Sequence, residues 1–200
     1  MFFAIFIKFF FLMTPFFVVS MFLSMTKGAK LEDKRKLSIN VTIAIIIACA
    51  VIFFFGKYIF QILGITLDAF RIGTGALLFL TAVSLINGSK VGSKTPESDE
   101  DDISQLAVVP LAIPITIGPA TIGTLLVMSG AISDFSEMAI TFAALILAVC
   151  ILGMMLYFSN IIEKIVGQTG LTIMIKISGI VLSALSAQII FTGIKNFLEL

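Results

Sequence analysis

The sequence contains no histidine. That absence removes imidazole metal sites, histidine proton relays and histidine-based catalytic triads in one step. Charge is scarce as well: 12% of the residues are Asp, Glu, Lys or Arg, against roughly 25% in a soluble chain. The net charge is only +1, with no basic stripe and no aromatic–basic interleaving, so nucleic-acid binding has no electrostatic footing. The two cysteines, Cys49 and Cys150, stand singly in apolar runs and do not suggest a disulfide framework. No nucleophile–base pair or metal-ligand cluster is visible, so the chain does not read as an enzyme.

What the sequence does have is apolar surface. Of its 200 residues 59% are hydrophobic, and the mean hydropathy is +1.16. A globule of this size cannot enclose so much, and the solvent left to cover it is lipid. Apolar runs of about 20 residues mark membrane-crossing helices, and six are found, over residues 2–25, 39–62, 68–86, 105–130, 138–159 and 171–194. The breaks are short and polar. Thr26 to Ser38 is dense in charge, Gly64 to Asp68 is tight, and Asn87 to Ser104 carries the acidic string Glu97 to Asp102. Ser133 to Glu137 and Glu163 to Gly170 complete the set. The N-terminal run lacks a basic leader and a small-residue cleavage site, so it reads as an uncleaved first span with a lipid-facing, Phe-rich surface.

Orientation follows from the loops. The first, third and fifth connections hold Lys27, Lys30, Lys34, Arg35, Lys36, Lys90, Lys94 and Lys164, whereas the other side holds Lys57 and Lys195. The positive-inside rule places the first set in the cytoplasm and both termini on the periplasmic side.

The chain also repeats itself at a spacing near 104–105 residues. Arg71-Ile72-Gly73-Thr74-Gly75 lines up with Lys176-Ile177-Ser178-Gly179, Gly88 with Gly193, Thr14-Pro15 with Gly118-Pro119, and Ser20 with Thr124. Three spans per half is an odd number, so the halves enter the membrane in opposite directions. The expected architecture is therefore an all-α membrane protein with a 3+3 inverted repeat, the build of many secondary transporters. Residues 1–88 form one half, 89–104 an acidic cytoplasmic linker, and 105–200 the other half.

The fourth span holds Pro110, Pro114, Gly118 and Pro119 within ten residues, which no straight helix tolerates. A break near Gly118-Pro119, matched by one near Pro15, points half-helix ends into a packed or solvated interior. Helix N-termini suit a carboxylate, and free carbonyls suit an ammonium or a cation. Thr14, Ser20, Thr116, Thr121 and Thr124 add hydroxyls there. Charges inside spans are functional candidates by default, which singles out Arg71 and Lys176, with snorkelling to the interface as the competing role. Asp68 either partners Arg71 or caps the third span. Gln188 is expected to bond across helices, and Gly73, Gly75, Gly179 and Ala184 to allow close helix approach.

Pro110-Leu111-Ala112-Ile113-Pro114 followed by Gly118-Pro119-Ala120 resembles the signature of the MarC family of bacterial inner-membrane proteins. Asp68 to Leu80 resembles that family's third-span motif. Ile177-Ser178-Gly179 followed by Ser186-Ala187-Gln188 resembles its sixth. The first span departs: where the family carries an Asn- or Asp-Pro-x-Gly-Asn element, Thr14-Pro15-Phe16-Phe17-Val18 keeps only the proline. The resemblance implies kinship with transporters of small neutral amino acids such as glycine and alanine. The leading expectation is a secondary transporter whose substrate site draws on Thr14, Pro15, Ser20, Arg71, Thr116, Gly118, Pro119, Thr121, Thr124, Lys176 and Gln188. No cofactor or metal is expected, and coupling to H⁺ or Na⁺ is open, as is homo-oligomerisation. The alternatives are a non-transporting membrane scaffold or assembly factor and a thiol–electron carrier using Cys49 and Cys150.

Overall fold

In the computed structural model the described residues are 2–64, 66–88, 111–112, 116–132 and 134–198. They form seven helices: α1 (Phe2–Leu12), α2 (Pro15–Met25), α3 (Leu31–Leu63), α4 (Leu67–Asn87), α5 (Pro119–Ala131), α6 (Phe135–Tyr157) and α7 (Ser159–Phe197). The expected linker at 89–104 and the first residues of the fourth span lie outside the described residues. Five helical segments are long and apolar enough to cross a membrane, with α1 and α2 counted together, and α5 is a shorter apolar helix.

The first span is broken. Its chain turns at Met13 and Thr14, and α2 restarts with Pro15 in its first turn. Thr14 adopts the left-handed conformation (φ 46°, ψ 57°), which a β-branched side chain rarely takes. The fourth span behaves alike: Gly118 is the extended residue before α5, and Pro119 opens the helix. Upstream, the Ile117 amide donates to the Ala112 carbonyl at 2.9 Å, a wide i→i+5 turn. Proline suits both restarts because the first helical amide has no intrahelical partner to lose.

One expected break is largely helical, and another is a kink. The charges Glu32 to Lys36 ride on the first turns of α3, because charged residues are good helix formers. Within Glu163 to Gly170 the chain leaves helical geometry at Gly167 (φ 68°, ψ 168°), so α7 is two helices joined across a kink where the break was expected. The remaining connections are capped conventionally. Thr66 accepts from the Ala69 amide at the start of α4, which settles Asp68 as something other than the cap. Asp134 accepts from the Ser136 and Glu137 amides at the start of α6. The Ser136 hydroxyl and those amides hold its carboxyl below the usual range.

The core is drawn from every helix, including Phe9, Phe22, Ile45, Leu78, Leu125, Leu145 and Leu182, all buried. Outside it, Ile39, Ile43, Ile47, Val51 and Phe55 run exposed along α3, an apolar face with the spacing of one helix side. α1 packs on α6, α5 on α3 and α4, α2 on α7, α3 on α6, and α4 most extensively on α7.

Glycine sets the α4–α7 distance. A Cβ at Gly75 would stand 3.2 Å from the Ser186 carbonyl oxygen and 2.5 Å from Ile190 Cγ1. One at Gly179 would stand 3.0 Å from the Ala82 carbonyl and 2.8 Å from Ile86 Cγ1. At Gly193 it would meet the Asp68 carbonyl at 2.9 Å and Arg71 Cβ at 3.0 Å. Gly73 meets nothing within 4 Å and Ala184 is exposed, so neither takes part in the close approach expected of it.

Two consequences can be measured. Gly193→Ala should destabilise the protein by about 1–3 kcal/mol through overpacking against backbone, whereas Gly73→Ala should be neutral or gain up to about 1 kcal/mol. Equal effects in denaturant titrations in mixed micelles would contradict the packing. Relieving the left-handed strain, Thr14→Asn should raise stability by about 1 kcal/mol, and Thr14→Val, still β-branched, should not. A gain shared by both variants would show that the backbone is not what Thr14 costs.

Candidate functional site

Four helices line a half-open cavity of about 290 Å³, walled by Lys8, Phe9 and Leu12 of α1, Arg71 and Leu78 of α4, Thr124, Val127 and Met128 of α5, and Leu185, Gln188, Ile189 and Thr192 of α7. Each helix contributes one face: Lys8 with Leu12, Thr124 with Met128, and Gln188 with Thr192 are i,i+4 pairs. Arg71 lies four residues into α4 and Leu78 eleven, so at 1.5 Å per residue the lining runs from about 6 Å to about 16 Å below the start of that helix. Half of a ~30 Å hydrocarbon layer is spanned by that depth. The wall is mainly apolar, and the polar groups are few and come from all four helices, the usual make-up of a small-molecule site.

The electrostatics are one-sided. Lys8 and Arg71 are the charged lining residues, and no carboxylate joins them. Arg71 Nη1 donates to Asp68 Oδ1 at 2.6 Å, with the two side chains 17% and 27% exposed. The same carboxylate oxygen accepts from Asn196 Nδ2 at 3.3 Å, tying the start of α4 to the end of α7. Asp68 is thus the partner of Arg71, standing about one turn back from the cavity wall. The Thr192 hydroxyl donates to the Gln188 carbonyl at 2.7 Å, which leaves its lone pairs for the cavity. Thr124 is buried. Gln188 is exposed at the cavity instead of enclosed between helices.

Arg71, Thr124 and Gln188 are thus brought together from the sequence-predicted set. The others lie elsewhere. The Thr116 hydroxyl, 2% exposed, donates to the Leu111 carbonyl at 2.8 Å and so serves the broken backbone. Thr14, Pro15 and Thr121 are buried, Ser20 and Gly118 half-buried, and none of them belongs to the lining, while the side chain of Pro119 lies outside what is described. Lys176 is exposed and outside it. The two cysteines are also apart from it, Cys49 buried and Cys150 exposed.

Sequence reasoning takes Lys8 as a lysine snorkelling to the interface and misses Thr192. The signal for Lys8 was its position midway along an apolar run, where a charge is functional by default. For Thr192 it was the i,i+4 spacing from Gln188.

The opposite end of the bundle holds the other charged contacts. Lys34 Nζ donates to Asn160 Oδ1 at 3.3 Å, and the Arg35 guanidinium sits 5.0 Å from the Tyr157 ring centroid, a cation–π distance. These contacts pin the start of α3 to the α6–α7 junction.

A family described as MarC family integral membrane protein matches residues 1–198. The UPF0056 membrane protein of Buchnera aphidicola subsp. Baizongia pistaciae is 32% identical, covering 96% of this chain and 94% of its own. UPF0056 membrane protein YhcE of Escherichia coli is 32% identical, with 97% and 92% covered. An archaeal relative in Methanocaldococcus jannaschii, also a UPF0056 membrane protein, is 31% identical, with 94% and 84% covered. No solved structure matches the chain. With a match that runs from end to end, this all-helical chain belongs to the MarC family of integral membrane proteins.

Proposed function

We propose that the protein is a secondary transporter of small neutral solutes, amino acids of the glycine or alanine class, built as a 3+3 inverted repeat in an inner membrane. The observation that carries this reading is the cavity: it is narrow, largely apolar, set with a few polar groups, and reaches to mid-bilayer depth among four helices. Its volume of about 290 Å³ falls at the lower bound of the ~300–1,000 Å³ typical of ligand sites, which suits a small solute.

Internal correspondences support the inverted repeat. A shift of 104 residues carries Thr14-Pro15, the entry to α2, onto Gly118-Pro119, the entry to α5. The same shift carries Gly75, Ala82 and Ile86 onto Gly179, Ser186 and Ile190. Gly75 packs against Ser186 and Ile190, while Gly179 packs against Ala82 and Ile86, so exchanging the halves returns the same contact. Helix pairs exchange likewise: α2 on α7 becomes α5 on α4, and α2 on α6 becomes α5 on α3. At this shift Arg71 corresponds to Ile175. Lys176 is one residue further on, about 100° around the helix, which accounts for Arg71 facing the cavity and Lys176 facing away.

The positive-inside rule puts the end bearing Lys27 to Lys36 in the cytoplasm, so the cavity faces the periplasm with both termini. Driving force would come from a gradient of H⁺ or Na⁺, and Asp68, bonded to a lining residue, is the acid placed to sense a bound solute.

Counterflow of labelled alanine, glycine and serine in proteoliposomes tests the reading. Exchange should saturate, and Arg71→Gln should lower its efficiency about 10- to 100-fold, the cost of a lost charged hydrogen bond. Lys164→Gln, exposed at the far end of α7, should leave it unchanged. No exchange of any solute by folded, inserted protein would overturn transport in favour of a membrane scaffold.

A further inference from the structure

We propose that the cavity recognises its solute through a carboxylate and that the solute's ammonium is dispensable, so that small monocarboxylates occupy the same site. This rests on the cavity being the transport site and names the chemistry by which it selects.

The argument is a charge inventory. Lys8 and Arg71 line the cavity, and no acidic side chain does. Arg71 spends one donor on Asp68, and a guanidinium has five in a planar fork, so the remainder can grip a carboxylate in the bidentate manner that arginine favours. Asp68 neutralises Arg71 overall. Lys8, in contrast, pairs with no carboxylate among the described residues. Lys8, an exposed residue of the lining, therefore brings one uncompensated positive charge to the cavity, and an anionic solute would balance it.

An ammonium finds the opposite. The neutral lining groups Thr124, Gln188 and Thr192 offer oxygen lone pairs, but none carries a negative charge. An ammonium bound in a cavity of about 290 Å³ stays within about one screening length (~8 Å) of the uncompensated Lys8 charge. The rest of the wall, Phe9, Leu12, Leu78, Val127, Leu185 and Ile189, takes a short alkyl group. A carboxylate on a two- or three-carbon chain fits every part of this description, and an amine on the same chain fits only the apolar part.

Titration calorimetry on the purified protein in detergent, with propionate, alanine and ethylamine as ligands, separates the possibilities. Propionate should bind within about tenfold of alanine, and ethylamine should not bind at a hundredfold higher concentration. Lys8→Gln should weaken propionate about tenfold or more, Lys8→Arg should restore it, and both variants should elute as the native species. Alanine binding without propionate binding, or binding of ethylamine, would overturn the carboxylate rule and leave the transport reading standing. Propionate binding by protein that exchanges no solute in vesicles would uphold the site and overturn transport. Binding by none of the three would overturn the inference outright.

Discussion

A backbone amide or carbonyl in hydrocarbon has no water to bond, and the whole structure answers to that constraint. It explains why every described element is a helix and why the interruptions at Thr14 and Gly118 lie inside the bundle. At the first, the Thr14 amide donates to the Phe11 carbonyl at 3.0 Å and the Val18 amide to the Thr14 carbonyl at 3.1 Å. At the second, the Ile117 amide and the Thr116 hydroxyl reach back to the Ala112 and Leu111 carbonyls. Buried side-chain hydroxyls obey the same rule, apart from Ser159 Oγ, which is left without a partner among the described residues. Thr26, Thr42, Ser178 and Thr192 each donate to the carbonyl four residues before them, and the Ser129 hydroxyl closes onto the Phe53 carbonyl of α3.

Function grows from where that accounting leaves something over. The α4–α7 pair is drawn together by glycines until backbone meets side chain, and beside it α1 and α5 leave a space with two cations. Holding Arg71 there costs several kcal/mol unless it is paired, and Asp68, fixed in turn by Asn196, supplies the pair. Lys8 has no such partner among the described residues.

Much of this was legible in the sequence because hydropathy reads lipid contact directly. The apolar runs, the prolines at both breaks and the charge asymmetry all follow from the cost of polar groups in hydrocarbon. The Thr14-Pro15 and Gly118-Pro119 entries were placed correctly because proline leaves the helix few options. The site was only partly legible. Arg71, Thr124 and Gln188 converge, but Thr116 and Lys176 share their sequence signals and not their location. A hydroxyl beside a break serves the backbone as readily as a ligand, and Thr116 does the former. The Arg71–Lys176 pairing assumed a 105-residue shift, whereas the glycine contacts support 104, and one residue on a helix turns a side chain to another face.

The central claim is that two inverted halves exchange roles around this cavity. A shift of 104 residues makes Leu85 the counterpart of Ile189. Ile189 lines the cavity, while Leu85 is 2% exposed and sealed in the core. The direct measurement is labelling of Ile189→Cys and Leu85→Cys by a membrane-impermeant maleimide, in a Cys49→Ser, Cys150→Ser background, from either face of oriented vesicles. Transported solute should change the two rates in opposite senses, with Ile189→Cys reached from the periplasmic face and Leu85→Cys from the cytoplasmic face. Rates that move together, or a Leu85→Cys that stays unreactive while solute exchanges, would contradict the account.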